Sequence, residues 1–171
     1  MLWNWQRPDW PLFTWEFARL AKAEEQFLLG AGIFLGTVTH LADEDRDQLT
    51  VEAMSDEAVT TSEIEGEILD RDSVQSSIRR QLGLISDRRR VKPAEQGIGE
   101  LVVDLYRHYA KPLDEKTLFA WHRMICQGRT DLRDIGRYRT HPEPMQVVSG
   151  KIYDPNVHFE APPSERVGAE M

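Results

Sequence analysis

Apolar residues recur at three- and four-residue steps from Phe17 to Ile125, and this helical period gives way to short apolar runs only after Gly128. Phe17, Leu20, Ala21, Phe27, Leu28, Ala31, Phe34, Leu35, Val38 and Leu41 define a long amphipathic helix, with Thr14 as its expected N-cap and Glu16 in the first turn. Gly30, Gly32 and Gly36 are costly inside it, so close packing against a neighbouring helix is expected there. A second helix is expected from Asp43 to about Gly66, with Leu49, Ala53, Thr60 and Ile64 on one face and Glu52, Asp56 and Glu57 outward. A third covers Ser73 to Leu82, where Val74, Ile78 and Leu82 fall at four-residue steps and Gly83 supplies the stop. Pro93 opens a fourth, carrying Ile98, Leu101, Val102, Leu105 and Tyr106. Asp114 caps a fifth, with Leu118, Trp121, His122 and Ile125 inward and Gly128 ending it.

Beyond Gly128, Met145–Val148 and Val157–Phe159 are separated by Ser149-Gly150 and Asp154-Pro155-Asn156, a β-hairpin pattern. Ser164 then caps the first turn of a further helix, inside which the chain stops, so a truncated chain is expected. The fold class is mainly α, a helical bundle with a short hairpin. Ser86–Lys92 is polar and basic and is the expected boundary between a helical module over 1–86 and a second part over 93–171.

The arm before the first helix changes this picture. Trp3, Trp5, Trp10 and Trp15 surround Pro8 and Pro11, a density that suits a proline-fixed strap packed onto the body of the fold. An aromatic ligand platform is the alternative.

Charge and cysteine content narrow the function. The net charge of -8 argues against a nucleic-acid platform. The basic cluster of Arg79, Arg80, Arg88, Arg89, Arg90 and Lys92 reads as a solvated helix end and loop, or as a dock for an anionic partner. A single cysteine excludes a disulfide framework and fits the cytoplasm. The N-terminus lacks the pattern of a signal peptide, and glycines, threonines and His40 break the window Phe27–Leu41 below a membrane span. A cytoplasmic protein without a membrane partner is therefore expected.

His122 and Cys126 stand one turn apart, a metal-pair spacing, yet no further ligand lies at suitable spacing, so a core histidine and a buried thiol are the better reading. No nucleophile elbow and no Gly-rich phosphate loop is present, and Gly97-Ile98-Gly99 belongs to a helix.

The distinctive segment is Thr61-Ser62-Glu63-Ile64-Glu65-Gly66. Thr61 and Glu65 share a face at the last turn of a helix, and Gly66 lets the chain turn away. A carboxylate so placed can grip a guanidinium on another element with two hydrogen bonds. The plain alternative is a helix end with solvated glutamates.

Thr61-x-x-x-Glu65-Gly66 resembles the inhibitory motif of Fic-family AMP-transferases, Ser/Thr-x-x-x-Glu-Gly/Asn. The surroundings extend the resemblance in order: Trp5, Pro8, Asp9, Trp10 and Pro11; Ser76-Ser77-Ile78 with Leu82 and Gly83; Leu118, Trp121 and His122; Gly136-Arg137-Tyr138-Arg139; Val147-Val148-Ser149-Gly150; and Val157-His158-Phe159-Glu160-Ala161-Pro162-Pro163. The family's catalytic signature, His-Pro-Phe-x-x-Gly-Asn-Gly-Arg, is absent, and His141-Pro142-Glu143-Pro144 does not replace it.

The resemblance implies a truncated Fic fold with an N-terminal helical module. Fic proteins transfer AMP from ATP to a target protein's hydroxyl groups, using a histidine base, magnesium and a phosphate nest that would lie beyond Met171. Carried over, Glu65 pairs with an arginine of that loop and denies the ATP γ-phosphate its productive position, while Thr61 steadies the helix end. Val147, Val148, Ser149, Gly150, Val157, His158 and Phe159 form a flap that docks a target strand by main-chain pairing. ATP and magnesium are the implied cofactors of a complete protein, with no tight binding expected of this chain and no catalytic or metal residue in it. The chain is thus expected to be the regulatory and target-docking part of an autoinhibited enzyme. The alternatives are a standalone antitoxin-like interaction module and a helical scaffold whose basic cluster binds an anionic partner. Self-association through surfaces around Leu118 and Trp121 is a further expectation.

Overall fold

The structure, a computed structural model, describes residues 2–85, 89–151 and 153–171. After a 3-10 turn at Asn4–Gln6 come α1 (Phe17–Thr39), α2 (Asp43–Ile64), α3 (Arg71–Leu82), α4 (Pro93–His108) and α5 (Glu115–Ile125). The strands β1 (Gln146–Lys151) and β2 (Asp154–Glu160) and a last helix, α6 (Ser164–Glu170), complete the order. The fold is therefore mainly α with a two-stranded antiparallel hairpin. The chain divides into two compact units, Met1–Leu35 with Tyr138–Met171, and Gly36–Arg137.

In the unit Gly36–Arg137 the core is built by α2, α3 and α4: Val51, Met54 and Ala58 meet Val74, Ile78, Ile98, Val102 and Val103. The expected period is right for α3. In α4, Ile98 and Val102 are buried as expected, but Val103 joins them while Leu105 and Tyr106 are exposed. The buried face of α2 differs as well. It runs through Val51, Met54, Ser55 and Ala58, while Ala53 and Thr60 are exposed and Ile64 is 78% exposed. Two interleaved four-residue rows compete along α2, and the buried one is the row that faces α3 and α4; within it the Ser55 hydroxyl is satisfied by donating to the Val51 carbonyl at 2.6 Å. Glu52, Asp56 and Glu57 do point outward, and Asp56 accepts a forked pair of bonds from Arg71 at 2.9 and 2.7 Å.

Two glycines set how closely α4 approaches its neighbours. A methyl group at Gly97 would come within 1.8 Å of the Met124 carbonyl oxygen, and one at Gly99 within 2.5 Å of the Ser77 hydroxyl. The helices therefore cross almost backbone to backbone. The start of α5 and the stop of α3 follow the sequence signals, while α3 begins at Arg71, two residues before the expected Ser73. Asp70 and Asp114 cap α3 and α5 by accepting from Ser73 N and Thr117 N, each at 2.8 Å, and hydrogen bonds from the side chains and then the backbone of Ser73 and Thr117 hold both carboxyls below the usual range. Gly83 stops α3 in the left-handed conformation, with φ 76°. In α5, Leu118, Trp121 and His122 are half-buried, whereas Ile125, expected inward, is 53% exposed because the helix ends there and Cys126 takes the buried position.

Helix α1 departs most from expectation. It begins at Phe17, so Thr14 is not its cap, and none of its residues is buried. Phe27, Leu29 and Ile33 are 72%, 65% and 64% exposed, and nothing lies within 4 Å of a methyl group placed at Gly30, Gly32 or Gly36. The close packing expected at those glycines is not present. No helix among the described residues is long and apolar enough to cross a membrane.

In the unit Met1–Leu35 with Tyr138–Met171, the tryptophan arm is a strap on the hairpin and α6. Trp3 stands edge-on to Phe159 at 5.8 Å, and Trp5 Nε1 donates to the Glu160 carbonyl at 2.7 Å. Arg166 stacks over the Trp5 ring at 5.1 Å, and Trp10 Nε1 donates to the Glu170 carboxylate at 3.1 Å. Trp15 stays 62% exposed, outside this packing. Ser164 is the first residue of α6 and not its cap; Pro163 holds the cap position, and the Ser164 hydroxyl donates to the His141 carbonyl at 2.5 Å.

Candidate functional site

The residues singled out by sequence fall into two groups. Thr61, Glu65 and Gly66 close α2, and Val147 to Phe159 make the hairpin.

At the end of α2 the Thr61 carbonyl accepts from Glu65 N at 3.3 Å, and the Ser62 carbonyl accepts from Glu67 N at 2.9 Å. Glu65 is the C-cap, and Gly66 follows with φ 84°. This is the glycine-ended helix terminus in which the N–H groups after the last turn satisfy orphan carbonyls. Glu65 is exposed, and its carboxylate has no hydrogen-bond or ionic partner among the described residues. Thr61 and Glu65 thus present a hydroxyl and an exposed carboxylate one turn apart.

The next carboxylate is engaged. Glu67 Oε1 lies 3.6 Å from Arg129 Nη1, on the turn after α5. Arg129 also donates to both oxygens of Asp131, at 2.8 and 2.7 Å. This forked pair pushes the Asp131 carboxyl down to about 2 and raises Arg129 above its ordinary value.

In the hairpin, Val147 pairs with Phe159 and Val148 with Val157, so the register shifts by one residue between them and His158 is the extra residue. His158 reaches Ser149 across the ladder, Oγ to Nε2 at 2.6 Å. Every residue of β1 is exposed, including Val147 and Val148, and Phe159 is half-buried beneath Trp3. Gly150 makes the turn side of the ladder with φ 92°, opposite Pro155. The sheet has two strands, so each has an outer edge without a strand partner among the described residues.

The histidine and cysteine one turn apart serve packing. His122 Nδ1 accepts from Gly136 N at 3.2 Å, and Cys126 is buried, which pushes its thiol pKa up. The basic cluster is largely turned onto the chain itself. Arg79 bonds to Gln48, Arg80 donates to the Arg89 carbonyl at 2.5 Å, and Arg89 lies 3.4 and 3.3 Å from Asp70 and Asp72. Arg88 and the start of the Ser86–Lys92 segment lie outside the described residues.

Sequence reasoning missed two acidic residues. Glu95, 2% exposed, accepts from Lys92 N at 3.0 Å and from Asp70 N at 3.3 Å, joining the starts of α3 and α4. Its signal is an acid three residues after a cap position with proline between, the capping-box spacing. Asp104 accepts from Trp121 Nε1 at 2.8 Å and pairs with His108 Nδ1 at 2.9 Å, at the wall of an open groove of about 860 Å³ between α4 and α5. Its Asp-x-x-x-His spacing was legible; the link to Trp121 was not.

Against known families, a domain of unknown function, DUF4172, matches residues 3–84, from the strap through α3 and its Gly83 stop. No curated protein matches the chain.

Proposed function

We propose that this chain is the regulatory and target-docking part of an autoinhibited Fic protein AMP-transferase, and that it is inactive in transfer by itself. The observation that carries this reading is the exposed carboxylate of Glu65, without a partner among the described residues, at the C-cap of α2, one turn after Thr61 and followed by Gly66 at φ 84°. A carboxylate exposed at a helix end can be gripped by an arginine with two bonds.

In this reading Glu65 occupies the arginine that would otherwise hold the γ-phosphate of ATP. Magnesium and ATP belong to a catalytic loop that this sequence does not contain. The hairpin docks the target by strand addition along a free edge, where main-chain bonds supply affinity and the alternating side chains Val147 and Ser149 contact the incoming residues. The bulge at His158 and its bond to Ser149 hold the register against slippage. The target hydroxyl belongs to a protein side chain in an extended segment.

The test is made in a polypeptide that joins this chain to a Fic catalytic loop. Glu65→Gly is expected to raise self-labelling by radioactive ATP at least tenfold, the consequence of freeing one bidentate arginine worth about 1.5–3 kcal/mol. Equal labelling with and without the substitution would sink the inhibitory role. The chain alone is expected to show none.

A further inference from the structure

We infer that Arg129 is the positioning residue for the Glu65 helix end: it latches the segment after α2 through Glu67, and so sets how firmly Glu65 is presented. The inference rests on the inhibitory reading for its consequence, but not for its structural content.

The segment has little else to hold it. Ile64 is 78% and Ile68 81% exposed, and nothing lies within 4 Å of a methyl group placed at Gly66. Its backbone bonds are local, from Glu65, Gly66 and Glu67 back to Thr61, Glu63 and Ser62. An exposed helix end with only local bonds frays readily. Among the described residues, the side-chain bond that reaches it from outside α2 is the one between Glu67 and Arg129.

Arg129 is mounted to act as a fixed point. Its own N–H donates to the Cys126 carbonyl at 3.1 Å, and Cys126 is buried. Gly128, with φ 82°, brings the turn so close to α4 that a methyl group there would lie 2.9 Å from the Pro93 side chain. Gln127 donates to Glu100 of α4 at 2.8 Å. Asp131 takes Nε and Nη2 of the guanidinium, which orients Nη1 toward Glu67. A guanidinium clamped on one side loses less entropy on meeting a second carboxylate than a free one does. The pair is half-exposed, so it tunes the helix end by a small factor and does not lock it.

Amide hydrogen exchange on the chain itself tests the latch. In Arg129→Ala the amides of Glu65, Gly66 and Glu67 are expected to exchange about threefold faster, the factor an exposed ion pair can supply. The amides of α3 and α4 should be unchanged. Wild type in 1 M salt should show the same increase, and Arg129→Lys, which keeps the charge, should recover part of the protection. Unchanged exchange at those three amides, or an equal increase throughout the unit, overturns the latch.

The consequence for inhibition is read separately, in the polypeptide joined to a catalytic loop. There Arg129→Ala is expected to raise self-labelling severalfold, less than Glu65→Gly does. If Glu65→Gly has no effect on labelling, the inhibitory reading falls while the exchange result still decides the latch.

Discussion

Trp5 and Glu160, 155 residues apart in sequence, are joined by an indole N–H donated to a main-chain carbonyl at 2.7 Å. The carbonyl is that of the last residue of β2, so the strap holds the hairpin where the chain leaves it.

Trp5→Phe keeps most of the apolar contact and removes the donor. The expected loss is about 1 kcal/mol, the value of one hydrogen bond with a half-buried acceptor left unpaired. Hydrogen exchange checks it: amides of β1 and β2 should exchange about fivefold faster, and those of α2–α4 should not change.

Gly97→Ala is expected to be among the most damaging single changes in the unit Gly36–Arg137. Its methyl group would meet the Met124 carbonyl at 1.8 Å, and a backbone atom cannot step aside as a side chain can. Overpacking of this kind costs about 3 kcal/mol, with α4 and α5 forced apart. Urea denaturation gives the number; a loss under 1 kcal/mol would mean that the two helices slide past each other freely.

Asp131 titrates low because Arg129 donates to both its oxygens. A carboxyl whose folded pKa is depressed contributes stability above its unfolded value, and that contribution fades as pH falls through the folded one. The window here lies between 3.8 and about 2. Carbon-detected NMR should place the Asp131 midpoint near the lower figure in wild type and return it toward the upper one in Arg129→Ala. A midpoint indifferent to that substitution would contradict the forked pair.

Cys126 is buried, and its thiol is harder to ionise for that reason. Alkylation by iodoacetamide in native buffer should be at least a hundredfold slower than in 6 M urea, because only opened molecules expose the thiolate. Mass spectrometry over time reads the ratio directly.

Much of this architecture was legible in the residues. Local signals placed the stop of α3 and the start of α5, because Gly83 and Asp114 act through bonds only three or four residues long. The Asp70 cap, which starts α3 two residues before the expected Ser73, went unread. The hairpin and the glycine-ended terminus at Gly66 were also legible, through turn residues close in sequence. Periodicity was less decisive in α2, where apolar and small residues occupy more than one face. Which row became core depended on where α3 and α4 lay, so the sequence favoured Leu49 and Ile64 and the fold buried Val51 and Met54.

The sequence by itself therefore determined what short-range chemistry controls: helix periods, caps, turns and the Thr61-to-Gly66 motif. Tertiary structure decided what depends on partners distant along the chain. It alone set Trp5 against Glu160, Trp121 against Asp104, and Arg129 against Glu67. Each of these joins groups whose meeting follows from the path of the backbone, and no spacing in the sequence encodes that path. The same reason explains α1, whose period announces an apolar face but cannot name what it packs on; none of its residues is buried.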